Sequence, residues 1–509
     1  MFTIQVKDKR TGNFTEEVLA QITEKSTGYE YGQAVADSIT EPVKNHTSAE
    51  VSVFHDGELI HRLLIVPKGG AVMVTENGAG TKPLSFRFAV NTVPLPEKYL
   101  IMVNPEHNNN KFYRMADFGG GKWGAFYGRI GEGQGESVYS QHVKRPHEYP
   151  DYMYGIKLLE KLLKGYKDKS DCHIDKDTAA PVVKQEFTKI KDAVIENLIR
   201  RLMQFANRAI EENYMVGSES VTEKMIEEAR AELNALRGSV DLESFNRHLL
   251  ELMHIIPRRI DGYGSGGVMR MMAQATDDFA RILVREEDLL SVMEGQVHVN
   301  EKKKDTSTKQ VDILEAMGLE IYPATEKQVE EVKKNLDGGL AGRLKAVYRV
   351  VNKNTQKRFD NYRESCERKP QVKLFWHGSR NCNWIHILQK GLLLNPDARV
   401  TGKMFGQGIY FAPSAMKSWG YTSSPRAKYT NERSDTAFMA LYATAYGRPF
   451  NVYDHHLFSP SFNYNDLKHY APSCSCVHAK KDRGMLRADE IIFYREDQMT
   501  IKYLCEFAA

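Results

Sequence analysis

The segment from Leu374 to Tyr421 holds most of the side chains that could do chemistry. A histidine, two tyrosines and a serine stand at the ends of short apolar runs: His377, Tyr410, Ser418 and Tyr421. Glycines separate these runs, which lets the backbone turn or approach a ligand closely while strand ends deliver the polar groups. This pattern is typical of a small-molecule site built on strands.

The same segment resembles the NAD-binding core of the poly(ADP-ribose) polymerases. It contains Phe-Trp-His-Gly-Ser-Arg, then Gly-Gln-Gly-Ile-Tyr-Phe-Ala, then Lys-Ser-Trp-Gly-Tyr, in the order of the family signature. The resemblance implies an NAD-dependent ADP-ribosyltransferase. NAD would be a co-substrate, and no cofactor or metal would be permanently bound.

The resemblance also implies a role for each polar residue. The Gly378 backbone and the Ser418 hydroxyl are expected to bind the carboxamide of nicotinamide. Tyr410 and Tyr421 are expected to enclose the nicotinamide ring, and His377 to hold the adenosine ribose. The remaining implied NAD contacts lie directly after His377, at Ser379 and Arg380.

A candidate acid lies near the end of the chain. The run Ala-Asp-Glu-Ile-Ile-Phe-Tyr resembles one of the family's final strands and places Glu490 at the catalytic glutamate. Cleaving the bond between nicotinamide and ribose leaves positive charge on the sugar, as in glycoside cleavage. An ionised Glu490 could stabilise that cation and activate the incoming hydroxyl. With His377 and Tyr410 it completes the catalytic set of the chain-elongating members.

The segment between Phe450 and Leu486 is shorter than in the long-chain enzymes, and it is expected to shape the acceptor site. It contains Cys474-Ser-Cys-Val-His478, with further histidines nearby. Paired Cys-x-x-Cys spacing is absent, so these are expected to be ordinary strand or loop residues rather than metal ligands. Further departures from the family pattern are Gln407 and Leu393, where many members have Lys and Arg.

Two β-rich regions precede the helical part of the chain. Residues 1–96 alternate apolar and polar residues between glycine and asparagine turns, which predicts a small, mainly β module of unknown role. Residues 97–175 read as strands around Gly119-Gly-Gly121, followed by a helix from about Tyr152 to Tyr166. This region resembles the WGR domain, with Tyr127-Gly-Arg129 in place of Trp-Gly-Arg.

The WGR resemblance implies that DNA strand breaks are a partner. In that family the triplet meets a DNA end, so Tyr127 and Arg129 are candidate DNA contacts, and a tyrosine can still stack. The helix that follows carries Lys157, Lys161 and Lys164 on one face, a spacing that could track phosphates. A solvated helix face explains this spacing equally well.

Residues 180–300 show helical periodicity. The apolar residues that recur at three- and four-residue spacing are Phe187, Ile190, Val194, Leu198, Leu202 and Phe205. Ser220-Val-Thr-Glu223 resembles a capping box that opens a second helix, whose predicted apolar face is Met225, Ala229, Leu233 and Leu236. A last helix is predicted over about Val268–Val284. The charged run from Asn300 is predicted to be a linker. The bundle resembles the family's helical regulatory domain, which restrains access to NAD until DNA is bound.

Composition limits the remaining possibilities. A chain of 509 residues exceeds one hydrophobic core, and 41% hydrophobic with 27% charged residues is ordinary for globular proteins. The net charge of +4 makes any nucleic-acid site a local patch. No apolar run predicts a signal peptide or membrane span, and six cysteines are too few for a disulfide framework. The expected location is intracellular: the nucleus in a eukaryote, the cytoplasm in a bacterium or virus.

The sequence therefore predicts a multidomain α+β protein. The predicted domains are a β-rich module (1–96), a WGR-like meander plus helix (97–175), a helical bundle (180–300) and a mixed α/β ADP-ribosyltransferase domain (308–509). The predicted function is a DNA-strand-break-activated poly(ADP-ribose) polymerase in DNA repair, modifying itself and other acceptor proteins and monomeric off DNA. The alternatives are a mono-ADP-ribosyltransferase on the same fold and a non-catalytic DNA-end binding protein.

Overall fold

The computed structural model describes residues 1–68, 71–105, 109–129, 146–173, 190–218, 221–259, 267–304, 313–394, 404–454, 456–459, 461–481 and 486–509. The chain forms two compact units. One comprises Met1–Ala179 and Met253–Met271, and the other comprises Ala180–Leu252 and Met272–Ala509. In the described part of the chain, no helix is both long and apolar enough to cross a membrane.

The first unit opens with an antiparallel sheet whose strand order is β2-β1-β3-β4-β5. Its strands are β1 (Phe2–Asp8), β2 (Phe14–Val18), β3 (Ala49–His55), β4 (Glu58–Lys68) and β5 (Ala71–Thr75). The sequence predicted a mainly β module, but two helices complete it: α1 (Gly28–Ser38) and α2 (Thr40–Lys44). Tyr31 and Val35 of α1 are buried in the core of this sheet.

A second antiparallel sheet in this unit has the order β10-β6-β7-β8-β9. Its strands are β6 (Lys98–Asn104), β7 (Asn109–Gly119), β8 (Lys122–Arg129), β9 (His147–Pro150) and β10 (Lys167–Asp168), and its helices are α3 (Tyr154–Leu163) and α4 (Ser170–His173). The predicted glycine turn is confirmed, since Gly119, Gly120 and Gly121 all have positive φ. Helix α3 connects the two sheets, because Ile156 packs in the first core and Tyr154 in the second.

Four long helices follow: α5 (Ala193–Asn213), α6 (Glu223–Gly238), α7 (Leu242–Ile255) and α8 (Phe279–Lys304). The predicted apolar face of α6 is confirmed by its buried residues, Met225, Ala229, Leu233 and Leu236. Its predicted cap is wrong, because Thr222 caps the helix by accepting from the Met225 amide. In α5, Val194 is exposed and its neighbour Ile195 is buried instead. Phe187 lies outside the described residues.

The boundaries predicted for the last helix of the bundle are wrong. Short 3-10 turns occupy Val268–Met271 and Thr276–Asp278, and α8 begins only at Phe279. The Asp278 carboxylate accepts from the backbone amides of Gln274 and Ala275, which closes the turn before the helix starts. The charged residues 300–304 belong to α8 rather than to a linker, because Glu and Lys are good helix formers without an apolar face.

The remainder of the second unit contains two sheets. The five-stranded sheet has the order β11-β12-β19-β15-β13, and the four-stranded sheet has the order β14-β18-β17-β16. The elements are α9 (Ile313–Ala316), β11 (Leu319–Pro323), α10 (Glu326–Lys334), β12 (Leu344–Asn352), α11 (Lys353–Ser365), β13 (Val372–Gly378), α12 (Trp384–Lys390), β14 (Ile409–Phe411), α13 (Ala415–Trp419), β15 (Thr436–Ala445), β16 (Pro449–Val452), α14 (Tyr464–Tyr470), β17 (Cys476–Ala479), β18 (Glu490–Phe493) and β19 (Met499–Ala508).

Every strand pair in these two sheets is antiparallel except β16 with β17. Strand β15 is buried along nearly its whole length, as expected for a strand covered on both faces. The core of the larger sheet also includes Leu198 and Leu202 of α5. The first helix of the bundle therefore shares a hydrophobic core with the sheet that carries His377.

Candidate active site

His377 lies at the end of β13 with its imidazole fixed in one orientation. Nδ1 lies 3.1 Å from the backbone carbonyl oxygen of Tyr410. Because a carbonyl only accepts, Nδ1 carries the hydrogen and Nε2 is left as an acceptor. Burial lowers the pKa of His377 to about 4, so the ring is neutral at pH 7. Phe411 and Tyr442 meet the ring edge-on and hold it in place.

Gly378 is the next residue of β13, and it lies against the backbone of α13. A Cβ atom at this position would be 2.0 Å from the carbonyl oxygen of Ser418, so only glycine fits. The Ser418 hydroxyl is buried and donates to the Trp376 carbonyl at 3.1 Å. The structure thus brings together the two groups that were predicted to bind a carboxamide.

The two predicted tyrosines differ in exposure. The Tyr410 hydroxyl donates to the Gly406 carbonyl at 2.9 Å and accepts from the Phe405 amide at 3.0 Å. Burial raises the pKa of Tyr410 well above its ordinary value, so this phenol does not ionise near neutral pH. Tyr421 is 41% exposed and stacks on Tyr429, with ring centroids 4.5 Å apart. An exposed ring backed by a second ring is suited to stacking on a flat ligand.

Glu490 is the first residue of β18, which pairs with β14 through Tyr410 opposite Ile492. Burial, and after it the charge of Glu490, raises the pKa of Tyr421 to about 12, which places the carboxylate in the same site. His377, Tyr410 and Glu490 are far apart in the sequence but lie on neighbouring strands. The fold therefore brings together the residues that the sequence predicted as catalytic.

Lys417 is a residue of this site that sequence reasoning missed. Its ammonium forms an ion pair with Oε1 of Glu490 and donates to the Ala488 carbonyl at 3.0 Å. Both side chains of the pair are largely buried, at 17% and 14% exposure. The only sequence signal was the position of Lys417 next to Ser418 in the run Lys-Ser-Trp-Gly-Tyr, which did not reveal a partner so distant in the chain.

The other two predicted NAD contacts, Ser379 and Arg380, bind other side chains of the protein. The Ser379 hydroxyl accepts from the Asn383 side-chain amide at 3.0 Å. The Arg380 guanidinium lies 3.1 Å from the carboxylate of Asp288, which projects from α8. A helix of the bundle therefore contacts a residue at the edge of the candidate site.

The predicted DNA contacts lie in the first unit, on β8 and α3. Tyr127 is 50% exposed and its ring is nearly parallel to that of Tyr113, at 5.9 Å between centroids. Arg129 is the last residue of β8, in register with Lys111. An exposed aromatic ring followed closely by an arginine can stack on a base or sugar and pair with a phosphate.

The lysines of α3 do not form the solvated face that was the alternative interpretation. Lys157 is only 12% exposed, and its ammonium bonds Glu160 and the Val74 carbonyl, each at 2.9 Å. Lys161 lies over the ring of Tyr113 at 4.4 Å, and burial lowers its pKa to about 8. Both lysines are thus packed within the unit.

The expectation of no metal at Cys474 and Cys476 stays a prediction. Both thiols are free and buried. Among the described residues, one group of three potential ligands has its donor atoms within 4.8 Å of one another: Glu24, His55 and Asp56. They lie in the loop after β2, at the end of β3 and in the turn after β3.

Comparison with known proteins identifies the domain that carries this site. The family model described as the poly(ADP-ribose) polymerase catalytic domain matches residues 321–509. This part of the chain is similar to the poly(ADP-ribose) polymerase catalytic domain. The matched range contains His377, Tyr410, Lys417 and Glu490, so the candidate site described above lies within the matched domain.

Named relatives match with modest coverage. Poly [ADP-ribose] polymerase 2 of Homo sapiens is 52% identical over 58 residues, which is 11% of this chain and 10% of that protein. Poly [ADP-ribose] polymerase 2 of Zea mays is 24% identical over 385 residues, 64% of this chain and 55% of that protein. Uncharacterized protein 101L of Invertebrate iridescent virus 6 is 27% identical over 205 residues, 40% of this chain and 77% of that protein. The chain thus spans about half of the Zea mays polymerase and about a tenth of the human one.

Proposed function

We propose that this protein is a DNA-strand-break-activated poly(ADP-ribose) polymerase. It would transfer ADP-ribose from NAD to acceptor proteins, including itself, and release nicotinamide. The observation that carries this proposal is the convergence of His377, Tyr410 and Glu490 on neighbouring strands of the polymerase catalytic domain. A domain that had become only a scaffold would have no need of this arrangement.

NAD binding would use groups that are already fixed in position. The nicotinamide carboxamide would bond the Gly378 backbone and the Ser418 hydroxyl, and its ring would lie between Tyr410 and Tyr421. Nε2 of His377 would accept a hydrogen bond from the adenosine ribose, because Nδ1 is held by the Tyr410 carbonyl. Ser379 and Arg380 would make the adjoining contacts. Pre-organised contacts of this kind reduce the entropy cost of binding.

Transfer would begin with loss of the bond between the ribose C1′ and the nicotinamide nitrogen. The leaving nicotinamide takes the bonding electron pair and departs neutral, while C1′ acquires cationic character. The Glu490 carboxylate would bond the 2′-hydroxyl and stabilise that cation. An acceptor oxygen then bonds to C1′, and its proton passes to Glu490 and on to solvent. Lys417 would orient the carboxylate through its ion pair.

The helical bundle is proposed to restrain this site. Asp288 of α8 holds Arg380, one of the proposed NAD contacts, at 3.1 Å. Arg201 of α5 forms two 2.7 Å bonds to the Glu506 carboxylate on β19, which also accepts from the Tyr348 hydroxyl at 3.1 Å. These contacts would have to loosen before the cleft beside Arg380 is free, so a signal that shifts the bundle would raise activity.

DNA strand breaks are the proposed signal. Tyr127 would stack on a terminal nucleotide and Arg129 would pair with a phosphate, since the ring is exposed at the end of a strand. Lys161 would add positive charge, and Lys157 would contribute only if it exchanged its bonds to Glu160 and Val74. The acceptors would include the protein itself and other proteins bound near the same break.

The test is labelled NAD incubated with the purified chain, with and without nicked DNA, with products resolved by size. For the wild type we expect a ladder of products that forms in response to DNA. The ladder should be absent in Glu490→Gln. In a Tyr127→Ala, Arg129→Ala double variant, adding DNA should not increase the amount of product. A single discrete label would indicate mono-ADP-ribosyl transfer. Unchanged maximal activity without DNA would contradict the activation step, and no label under any condition would contradict the enzyme assignment.

A further inference from the structure

The histidine of the Cys-Ser-Cys-Val-His run has a defined environment in the structure. His478 lies on β17, with Nδ1 2.7 Å from the Tyr446 hydroxyl and Nε2 2.8 Å from a carboxylate oxygen of Asp489. Its side chain is only 12% exposed. Both ring nitrogens are therefore used, one by a hydroxyl and one by a carboxylate.

The partners determine the direction of each hydrogen bond. An ionised carboxylate only accepts, so Nε2 carries the hydrogen and donates to Asp489, and the neutral Nδ1 accepts from the Tyr446 hydroxyl. Burial lowers the pKa of His478, which agrees with a neutral ring. The second oxygen of Asp489 accepts from the Lys481 amide at 2.8 Å. The chain of bonds from Tyr446 to Asp489 is thus complete without an added proton.

Asp489 directly precedes Glu490, the first residue of β18. Lys417 binds the residues on both sides of it, through the Ala488 carbonyl and the Glu490 carboxylate. On the opposite strand, Ala479 is in register with Glu490 and His478 with Ile491. The backbone that carries Glu490 is therefore held from one side by Lys417 and from the other by His478 through Asp489.

We propose that His478 is a positioning residue for Glu490. Its hydrogen bond to Asp489 sets the path of the backbone where β18 begins, and with it the location of the Glu490 carboxylate relative to Lys417. This inference rests on the proposed function, because it assigns His478 a part in the same transfer reaction. His478 itself does not touch NAD or the reacting atoms.

Two amide variants separate this role from simple packing. The side-chain amide of His478→Gln reaches about as far as Nε2 and can still donate to Asp489. The amide of His478→Asn ends near the position of Nδ1, beside Tyr446, and cannot reach Asp489. Both remove the ring, and they differ by one methylene group and by whether the amide reaches Asp489. The matched controls are His469→Gln and His469→Asn, because His469 is exposed and lies on α14 of the same domain.

Two measurements are made on the full chain with nicked DNA. The first is the rate of nicotinamide release as a function of NAD concentration. We expect kcat of His478→Asn to fall about tenfold with little change in KM, because displacement of one catalytic group affects the transition state more than binding. His478→Gln is expected to keep kcat within about threefold of the wild type. Both His469 variants should match the wild type.

The second measurement is hydrogen exchange of the backbone amides of Glu490–Phe493, which does not depend on activity. We expect faster exchange in His478→Asn than in His478→Gln. Equal kcat and equal exchange in the two amide variants would overturn the proposal, as would wild-type behaviour of both. If the wild type releases no nicotinamide, the proposed function fails, and the difference in exchange alone decides whether His478 positions this strand.

Discussion

Replacing Gly378 by alanine should disable the active site while leaving the domain folded. The added Cβ atom would lie 2.0 Å from the Ser418 carbonyl oxygen and 2.8 Å from its carbonyl carbon, although Cβ contacts below 3.0 Å essentially do not occur. Both neighbours are backbone atoms, so no side-chain rotation relieves the contact. Strand β13 and helix α13 must separate by about 1 Å.

This displacement has two different costs. Forcing extra atoms into a packed contact typically destabilises a fold by about 1–3 kcal/mol, which a large domain tolerates. A shift of about 1 Å between groups that bind a substrate can lower catalysis by about 100-fold. Since Gly378 and Ser418 would bind the same carboxamide, we expect kcat/KM for NAD to fall by about 100-fold.

The assay is nicotinamide release at limiting NAD, alongside urea unfolding of the same preparations. The matched control is Gly342→Ala, because a Cβ atom at Gly342 meets nothing within 4 Å and its φ is not positive. The control should keep the activity and the free energy of unfolding of the wild type. A Gly378→Ala protein with kcat/KM within about twofold of the wild type would refute the reasoning.

Three further predictions concern ionisable groups of the site. Lys417→Met leaves the Glu490 carboxylate without its cation, so nicotinamide release should show kcat reduced about tenfold. Asp288→Asn frees the Arg380 guanidinium, and because a partly exposed pair is worth up to about 1 kcal/mol, turnover without DNA should rise about two- to fivefold. Burial lowers the pKa of His377 to about 4 in the folded protein, below the ordinary value of 6.5. As the pH falls from 6.5 towards 4, the unfolded chain therefore binds a proton here that the folded protein does not, and the free energy of unfolding decreases. Urea unfolding across that range should show a shallower pH dependence for His377→Asn.

Local patterns were sufficient to predict many of the strands and helices and to select the candidate site residues. Strand β13 and the buried face of α6 were predicted because apolar periodicity depends on residues close together in the sequence. The resemblance to the polymerase catalytic domain was found from short runs around His377 and Glu490, because the types and order of side chains can be read directly from the sequence. The roles given to these residues remain predictions.

Other features were decided by contacts between distant segments. The partner of Lys417 lies on β18, and the partners of His478 lie directly after β15 and directly before β18, so no local spacing reveals either pair. Lys157 had the spacing of a solvated or phosphate-binding face, yet Val74 and Glu160 bind its ammonium. Periodicity shows which side of an element is apolar. The pairing of polar side chains is determined only when strands and helices pack, because ion pairs and hydrogen bonds depend on distances of a few ångströms.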